Sequence, residues 1–233
     1  MSYYNTVYRL TCPGDARANQ HIFLTVMHTI WALFHNFVAE QLGQSHPHWS
    51  DNKMFEEARR IVVAVLQRVT YHEFLPELLN SRLMEKFHLW SGQGGRYDPQ
   101  VWGSLMSEFS TAAYRVGHSF IPSDFGADLL TNSFFNPALL YSRTVGELVT
   151  DMANASSGRY DPRLVPAVTE FLYSRGQIGA DLAAFNVFRG RDHGLRPYVE
   201  YLRLCTCRQV TRFDQLRSVM PLKAVNALRK LYK

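Results

Sequence analysis

Apolar residues recur at every third or fourth position through most of this 233-residue chain, and this spacing constrains the fold more than any other feature. Such a period places apolar side chains on one face of an α-helix. The first run predicts a helix over about residues 19–41, with an apolar face of Phe23, Val26, Ile30, Leu33, Phe37 and Val38. The pattern therefore predicts a mainly α fold, a multi-helix domain with little or no β structure.

A second helix is predicted to begin at an N-cap formed by Ser50-Asp51 and to continue to Phe74, after a turn over residues 43–47. A third is predicted to open at Asp98-Pro99, after a glycine-rich loop over residues 91–95, and to place His118 near its end. A loop is expected over residues 121–137. Further helices are predicted at about residues 144–153, 162–174, 181–188, 197–204 and 213–232.

Hydrophobic residues make up 46% of the chain and charged residues 19%, a balance typical of a globular domain with a real core. The net charge is +5, but lysine and arginine are scattered among acidic residues, which argues against nucleic-acid binding. No stretch approaches the roughly 18 uninterrupted apolar residues of a membrane span. The first residues also lack the apolar run of a signal peptide. We therefore expect neither a transmembrane segment nor a signal peptide in this chain.

His118 follows Arg115 by three residues at the end of a predicted apolar helix. A neutral imidazole in such a place can be the axial ligand of a haem iron, and nearby arginines suit the haem propionates. Periodicity alone favours a plainer alternative, a hydrogen-bonded histidine of the core. A second dense block, from Asp181 to Gly194, is placed to close over the same site.

Other metal sites are less well supported by the sequence. Glu85-Lys-Phe-His88 has the spacing of a ligand pair in di-iron helical bundles, but the second copy that such a site needs is missing. His46-Pro-His48 is a possible metal contact, although two histidines flanking a proline in a polar turn are usually solvent-exposed.

Three longer motifs occur in order along the chain. They are Gly14-Asp-Ala-Arg17-Ala-Asn19, Ala113-Tyr-Arg-Val-Gly-His118-Ser119 and Asp181-Leu-Ala-Ala-Phe-Asn186-Val-Phe-Arg189-Gly-Arg-Asp192-His193-Gly194. Together they resemble the animal haem peroxidase family, and the resemblance extends from Cys12 to about Cys205. It implies that residues 1–233 form a single, partial haem peroxidase domain, without the segment that holds the distal histidine and without the C-terminal part.

The resemblance also implies a role for each matching residue. His118 is the expected proximal ligand of the haem iron, and Asn186 is the expected acceptor that orients its imidazole. Arg17 is the expected distal arginine, which stabilises negative charge on the departing oxygen of peroxide. Arg115 and Arg189 are expected to contact the haem propionates. Asp192 and His193 are expected to be structural, with the charges of this segment paired around a tight turn.

The activity that the resemblance implies is a haem-dependent peroxidase in the extracellular space or secretory pathway. It reduces hydrogen peroxide and oxidises a halide, a phenol or a tyrosine-type donor, using a b-type haem. Cysteines near Cys12 and Cys205 form disulfides in secreted members of the family, so partners outside this chain are one alternative, and reduced buried thiols are the other. Cys205 and Cys207 lie too close together for a zinc pair. Asn154-Ala155-Ser156 is a glycosylation sequon.

This chain departs from the family pattern at several positions. Gln20 stands where the family has the glutamate that forms an ester with haem, and His21 stands where one branch has a methionine that forms a second covalent link. None of the sixteen residues before Arg17 is the histidine of the family's distal Asp-His-Asp motif, and the calcium-binding aspartate of that motif is missing too. Two functions stay open: a peroxidase without covalently bound haem, or a non-catalytic or fragmentary haem-peroxidase-like module.

Overall fold

The computed structural model describes residues 15–89, 99–126, 128–174 and 178–232, and most of them are helical. The α-helices are α1 (Ile22–Ser45), α2 (Asp51–Val69), α3 (Leu75–Leu78), α4 (Ser81–Lys86), α5 (Ser107–Thr111), α6 (Leu139–Ser142), α7 (Val145–Asn154), α8 (Pro166–Thr169), α9 (Leu182–Asp192), α10 (Tyr198–Thr206) and α11 (Leu222–Leu231). A π-helical stretch covers Thr70–Phe74, and 3-10 helices cover Ala16–Asn19, Ala113–Phe120, Leu130–Ser133 and Phe213–Ser218. The strands β1 (Asp124–Phe125) and β2 (Asp128–Leu129) form an antiparallel pair. The predicted mainly α fold is confirmed.

The chain divides into two compact units, each with its own core. The first unit comprises residues 1–104 and 117–183, and the second comprises residues 105–116 and 184–233. In the first unit the buried core consists of Ile22, Val26, Phe125, Leu130, Phe134, Leu140, Leu148, Ala167, Val168 and Leu172. In the second unit Leu202, Leu216 and Val225 are buried together. Each such aliphatic or aromatic side chain contributes about 1.5–3 kcal/mol when it is fully buried.

Helices α1 and α2 pack against each other in the first unit. The predicted N-cap is confirmed, because the Ser50 hydroxyl accepts a hydrogen bond of 3.3 Å from the Lys53 amide. Helix α1 continues to Ser45, so the predicted turn begins too early. Gly43 lies within α1, and a Cβ added there would lie 3.2 Å from the Met54 sulfur, so the glycine leaves room for this side chain.

The apolar spacing of α2 predicts a helix that is largely buried on one side, but most of its apolar stripe is not buried. Ala58 is its buried residue, whereas Phe55 is 51% exposed and Leu66 is 46% exposed. The predicted continuation to Phe74 is confirmed, with a change of pitch over Thr70–Phe74. Pro76 has no amide hydrogen to continue the regular α-helical ladder, which favours a wider turn just before it.

Helix α1 is long and apolar enough to cross a membrane by length and composition alone, and no other described helix is. The main helix of a soluble core has the same two properties. Ile22 and Val26 of α1 are completely buried in the core of the first unit, and α2 packs along the same helix. These contacts bury one part of α1, whereas Met27, Leu33 and Phe37 stay exposed.

The third long helix is not formed. Residues 101–106 are irregular, α5 lasts for five residues, and His118 lies in the 3-10 helix Ala113–Phe120. The apolar stripe that predicted a helix stays exposed, with Val101 69% exposed and Leu105 72% exposed. The Ser110 hydroxyl donates to the Ser107 carbonyl, a local bond that competes with regular helix.

Later predictions were correct where the sequence contains strong end signals. Helix α7 has a full capping box, in which the Thr144 hydroxyl accepts from the Glu147 amide and the Glu147 carboxylate accepts from the Thr144 amide. Helices α9 and α10 also lie close to their predicted bounds.

The prediction over residues 162–174 was wrong except at α8, and Pro221 divides the predicted last helix into a 3-10 segment and α11. The expected loop over residues 121–137 contains β1, β2 and a 3-10 turn. The predicted loop at residues 91–95 lies outside the described residues.

The loop after α7 is held against the segment that contains His118. The Gly158 amide donates a hydrogen bond of 2.8 Å to the Phe120 carbonyl. A Cβ added at Gly158 would lie 2.2 Å from the Ser119 carbonyl oxygen, much closer than atoms can approach. The absence of a side chain at residue 158 is therefore required for this contact.

His21 forms the N-cap of α1. Its Nδ1 atom accepts a hydrogen bond of 3.4 Å from the Leu24 amide, and its ring meets the edge of Phe23 at a centroid distance of 6.0 Å. Burial disfavours the charged imidazolium and lowers the pKa of His21 to about 4.

His21→Asn is expected to make the protein less sensitive to mild acid. In the unfolded chain His21 has a pKa of about 6.5, so between this pH and pH 4 the unfolded state binds the proton and the folded state does not. As the pH falls through this range, His21 should therefore lower the free energy of unfolding of the unsubstituted protein by up to about 1.4 kcal/mol per pH unit. Asparagine preserves an N-cap acceptor and does not titrate. Urea unfolding at several pH values between 7 and 4 measures the slope. Replacement of the exposed His28 of α1 by glutamine is the control, and an equal effect of both substitutions would contradict the role of burial.

Gly158→Ala is expected to destabilise the protein by about 1–3 kcal/mol, because the new methyl group must displace backbone atoms and not a flexible side chain. Gly103→Ala is the matched control, since a Cβ at residue 103 meets no atom within 4 Å. Thermal and urea unfolding of both variants measure the difference. Equal stability of the two variants would show that the loop does not lie against Ser119.

Candidate functional site

His118 is half-buried in the 3-10 helix Ala113–Phe120 of the chain. The next residue, Ser119, has a buried hydroxyl with no hydrogen-bond partner, and the Phe120 carbonyl is the acceptor for Gly158. A buried unsatisfied hydroxyl is unusual in a folded protein. The hydrogen bond between the Gly158 amide and the Phe120 carbonyl fixes the backbone two residues after His118. Sequence reasoning missed Gly158, whose only signal was a glycine in a polar loop.

Asn186 and Arg189 lie on α9, three residues apart, where an α-helix brings side chains to the same face. The Asp181 carboxylate accepts a hydrogen bond of 2.7 Å from the Ala183 amide and so stabilises the first turn. Asn186 is half-buried and Arg189 is exposed. At the other end Gly194 has a φ of +64°, and the Leu195 amide bonds to the Gly190 carbonyl, which terminates the helix.

The expected charge pairing around Asp192 does not occur. Among the described residues Arg189, Arg191 and Asp192 form no ion pair, and His193 is exposed beside them. Arg191 instead lies 6.0 Å from the centre of the Phe188 ring. These side chains are solvent-exposed, so water satisfies their charges and a specific pair gains little.

One face of α9 has a concave surface lined by both apolar and charged groups. It consists of Phe185, Phe188, Arg189, Arg191 and Asp192. The two aromatic rings are 47% and 62% exposed, in that order. Exposed aromatic rings next to guanidinium groups suit a flat apolar ligand with acidic substituents, which is the chemistry of haem with its two propionates.

Arg17 lies in the 3-10 helix Ala16–Asn19, and its side chain is 82% exposed. Its guanidinium donates to the Asp15 carboxylate from Nη2 at 2.6 Å and from Nε at 3.1 Å. These hydrogen bonds hold the pKa of Asp15 at about 2. Arg115 is half-buried, and its Nε donates to the Thr111 carbonyl at 2.8 Å. Their roles as distal arginine and propionate contact stay predictions.

Gln20 is bound by two aromatic residues, an arrangement that the sequence did not indicate. Its side-chain amide donates to the Tyr173 hydroxyl, and its backbone carbonyl accepts a hydrogen bond of 3.2 Å from the Phe135 backbone amide. The rings of Phe135 and Tyr173 are 5.1 Å apart, and both residues have left-handed backbones, with φ of 49° and 59°. Burial raises the pKa of Tyr173. Non-glycine residues with positive φ cannot be recognised locally because tertiary contacts impose them.

The predicted residues belong to both compact units. Arg17 and His118 lie in the first, and Arg115, Asn186 and Arg189 lie in the second. The pairing of His118 with Asn186 remains a prediction.

The other metal hypotheses gain no support. No three histidine, cysteine, aspartate or glutamate side chains converge in the described part of the chain. The His46 ring stacks on Trp49 at a centroid distance of 4.0 Å, so its packing partner is an indole. Cys205 and Cys207 are both exposed thiols, so the alternative of buried, reduced thiols does not hold for these two residues. Cys12 lies outside the described residues.

Comparison with known proteins places this arrangement in a family. The profile of the animal haem peroxidase family matches residues 5–233. The chain is 34% identical over 236 residues to chorion peroxidase of Drosophila melanogaster, covering 94% of this chain and 29% of that protein. It is 35% identical over 219 residues to peroxidasin of the same organism, covering 87% of this chain and 14% of that protein.

A solved structure has the same fold. Peroxidase A of Dictyostelium discoideum superposes with a TM-score of 0.78 at 27% identity, covering 94% of this chain and 43% of that one. The chain therefore spans less than half the length of each of these three relatives. Because the family profile matches nearly the whole of this chain, the chain belongs to the animal haem peroxidase family.

Proposed function

We propose that this chain is part of a haem-dependent peroxidase that reduces hydrogen peroxide and oxidises a halide, a phenol or a tyrosine-type donor. Membership of the family supports the reaction class. The structural observation that supports it most is the concave face of α9, where Phe185 and Phe188 lie beside Arg189 and Arg191. This combination fits a porphyrin with two carboxylates, and haem supplies the redox chemistry when it is bound.

His118 is the proposed axial ligand. It is half-buried, which limits competition from water, and the hydrogen bond between Gly158 and Phe120 fixes the backbone beside it. Asn186 is proposed to accept a hydrogen bond from the second imidazole nitrogen and so to set the tautomer. A neutral amide makes the imidazole less basic than a carboxylate would, and the metal centre is then more easily reduced.

Arg17 is the proposed distal arginine. Its planar guanidinium is oriented by the Asp15 carboxylate, which leaves donors of the same group for a ligand. In a dry pocket one such donor stabilises developing negative charge by about 3 kcal/mol. Arg115 and Arg189 are proposed to bind the propionates, with Arg189 on the same helical face as Asn186.

The haem is proposed to be a b-type group held by coordination and packing. Gln20 has an amide where an ester would require a carboxylate, and this amide is bound to Tyr173. We place the protein in the extracellular space or secretory pathway, as the family resemblance implies. We also propose that residues 1–233 are one part of a peroxidase domain and that further segments of the same domain complete the pocket.

The second candidate function is a haem-peroxidase-like module without turnover. One observation favours it: Arg17 is exposed and already paired with Asp15, an arrangement typical of a surface charge. A Soret spectrum together with peroxide-dependent oxidation of a phenol separates the two functions. Haem binding with turnover supports the enzyme, and haem binding without turnover supports the module.

His118→Ala is expected to abolish stoichiometric haem retention, because the axial bond to the iron is lost. The measurement is the Soret absorbance per protein after reconstitution with haem and gel filtration. His28→Ala, a substitution of an exposed histidine on α1, is the control and should retain haem. An unchanged Soret band in His118→Ala would refute the ligand assignment.

Asn186→Leu is expected to leave haem bound and to slow the reaction with peroxide by about 10–100-fold, the usual effect of losing a partner of a metal-bound imidazole. Stopped-flow absorbance measures this rate, and the reduction potential of the bound haem provides a second readout. Asn226→Leu, at an exposed position of α11, controls for a general effect of the substitution. Full reactivity of Asn186→Leu would argue against its orienting role.

A further inference from the structure

Asn154 ends helix α7, and its side chain is exposed. The Ala155 amide still bonds to the Asp151 carbonyl at 2.9 Å, and the backbone then becomes extended, with a ψ of 125° at Ala155. Ser156 is also exposed, and no helix or strand begins before residue 166. The asparagine and the serine two residues later therefore lie at the start of an exposed loop.

This is the only Asn-x-Ser or Asn-x-Thr sequence in the chain that lacks proline at the middle position. Its middle residue, Ala155, is half-buried and packs against the core of the first unit. The two polar side chains that define the sequon are thus directed outward while the residue between them anchors the loop. A sequon hidden in a core would not accept a bulky, solvated group.

The sequon borders a cavity in the first unit that is lined by both polar and apolar groups. Asn154, Ser156 and Ser157 line this cavity together with Ser123, Asp124 and Asp151. Hydroxyl and carboxylate oxygens are acceptors for sugar hydroxyl groups, and the serines are also donors. A sugar attached to Asn154 would find hydrogen-bond partners at the rim while the rest of the glycan extends into solvent.

We propose that Asn154 is an N-glycosylation site and that the first sugar of the glycan covers the rim of this cavity. This inference rests on the secretory location proposed above. The Asn154 amide nitrogen forms a bond to the anomeric carbon of an oligosaccharide, which is donated from a polyprenyl pyrophosphate. The bond between that carbon and the pyrophosphate breaks, the lipid pyrophosphate leaves with its electron pair, and the amide loses one proton.

The test uses the whole chain, directed through the endoplasmic reticulum of cultured animal cells by an appended secretion leader. The expected result is a single form of lower electrophoretic mobility that peptide N-glycosidase converts to the unmodified size. Asn154→Gln and Ser156→Ala should each abolish the shift completely, whereas Ser156→Thr should retain it. Asn226→Gln, at an exposed asparagine outside any sequon, should leave the shift unchanged.

Mass spectrometry of the tryptic peptide over residues 144–159 locates the modification, since enzymatic release of the glycan leaves aspartate at residue 154. An unshifted wild-type chain recovered from the medium would overturn the proposal. So would a shift that persists in both Asn154→Gln and Ser156→Ala. Haem binding is measured on the same samples: glycosylation without haem binding supports this site whatever the outcome for the proposed peroxidase, and haem binding without glycosylation refutes this site alone.

Discussion

The hydrogen bond from the Gly158 amide to the Phe120 carbonyl joins two segments of the first unit that are distant in sequence. One segment contains His118, and the other follows the exposed Asn154. The two backbones approach so closely that any side chain at residue 158 would collide with Ser119. Both the proposed haem ligand and the proposed glycan therefore depend on a contact that requires glycine.

A second set of contacts attaches the Arg17 turn to the same unit. The Gln20 side chain forms a hydrogen bond with Tyr173, and the Gln20 backbone carbonyl accepts one from the Phe135 amide. The left-handed backbones of these two aromatic residues cost on the order of 1–3 kcal/mol each, and only surrounding contacts can maintain them. Phe134 adds an edge contact to the Tyr173 ring at 5.7 Å. Such strain is typical of functional regions, and here it lies beside Gln20.

The sequence predictions were correct where the signal lies within a few neighbouring residues. The capping box of α7 and the serine N-cap of α2 are complete within four residues, so the sequence predicts them directly. The stripe before His118 has the same helical period, but its apolar side chains remain exposed and α5 is short. A helical period indicates which face of a helix would be buried. It does not indicate whether another element is present to pack against that face.

Sequence was sufficient for the helical class of the fold, the family motifs and the candidate roles of His118, Asn186, Arg17, Arg115 and Arg189. The helical class and the motifs depend on residue type and on short spacings along the chain, and the candidate roles follow from the family resemblance. The tertiary structure was needed to recognise that Gly158 lies against Ser119 and that Tyr173 binds Gln20. It was also needed to show that His118 lies in a 3-10 segment. Contacts between residues tens of positions apart depend on how helices and loops pack, and a local sequence pattern does not indicate which distant residue will be the partner.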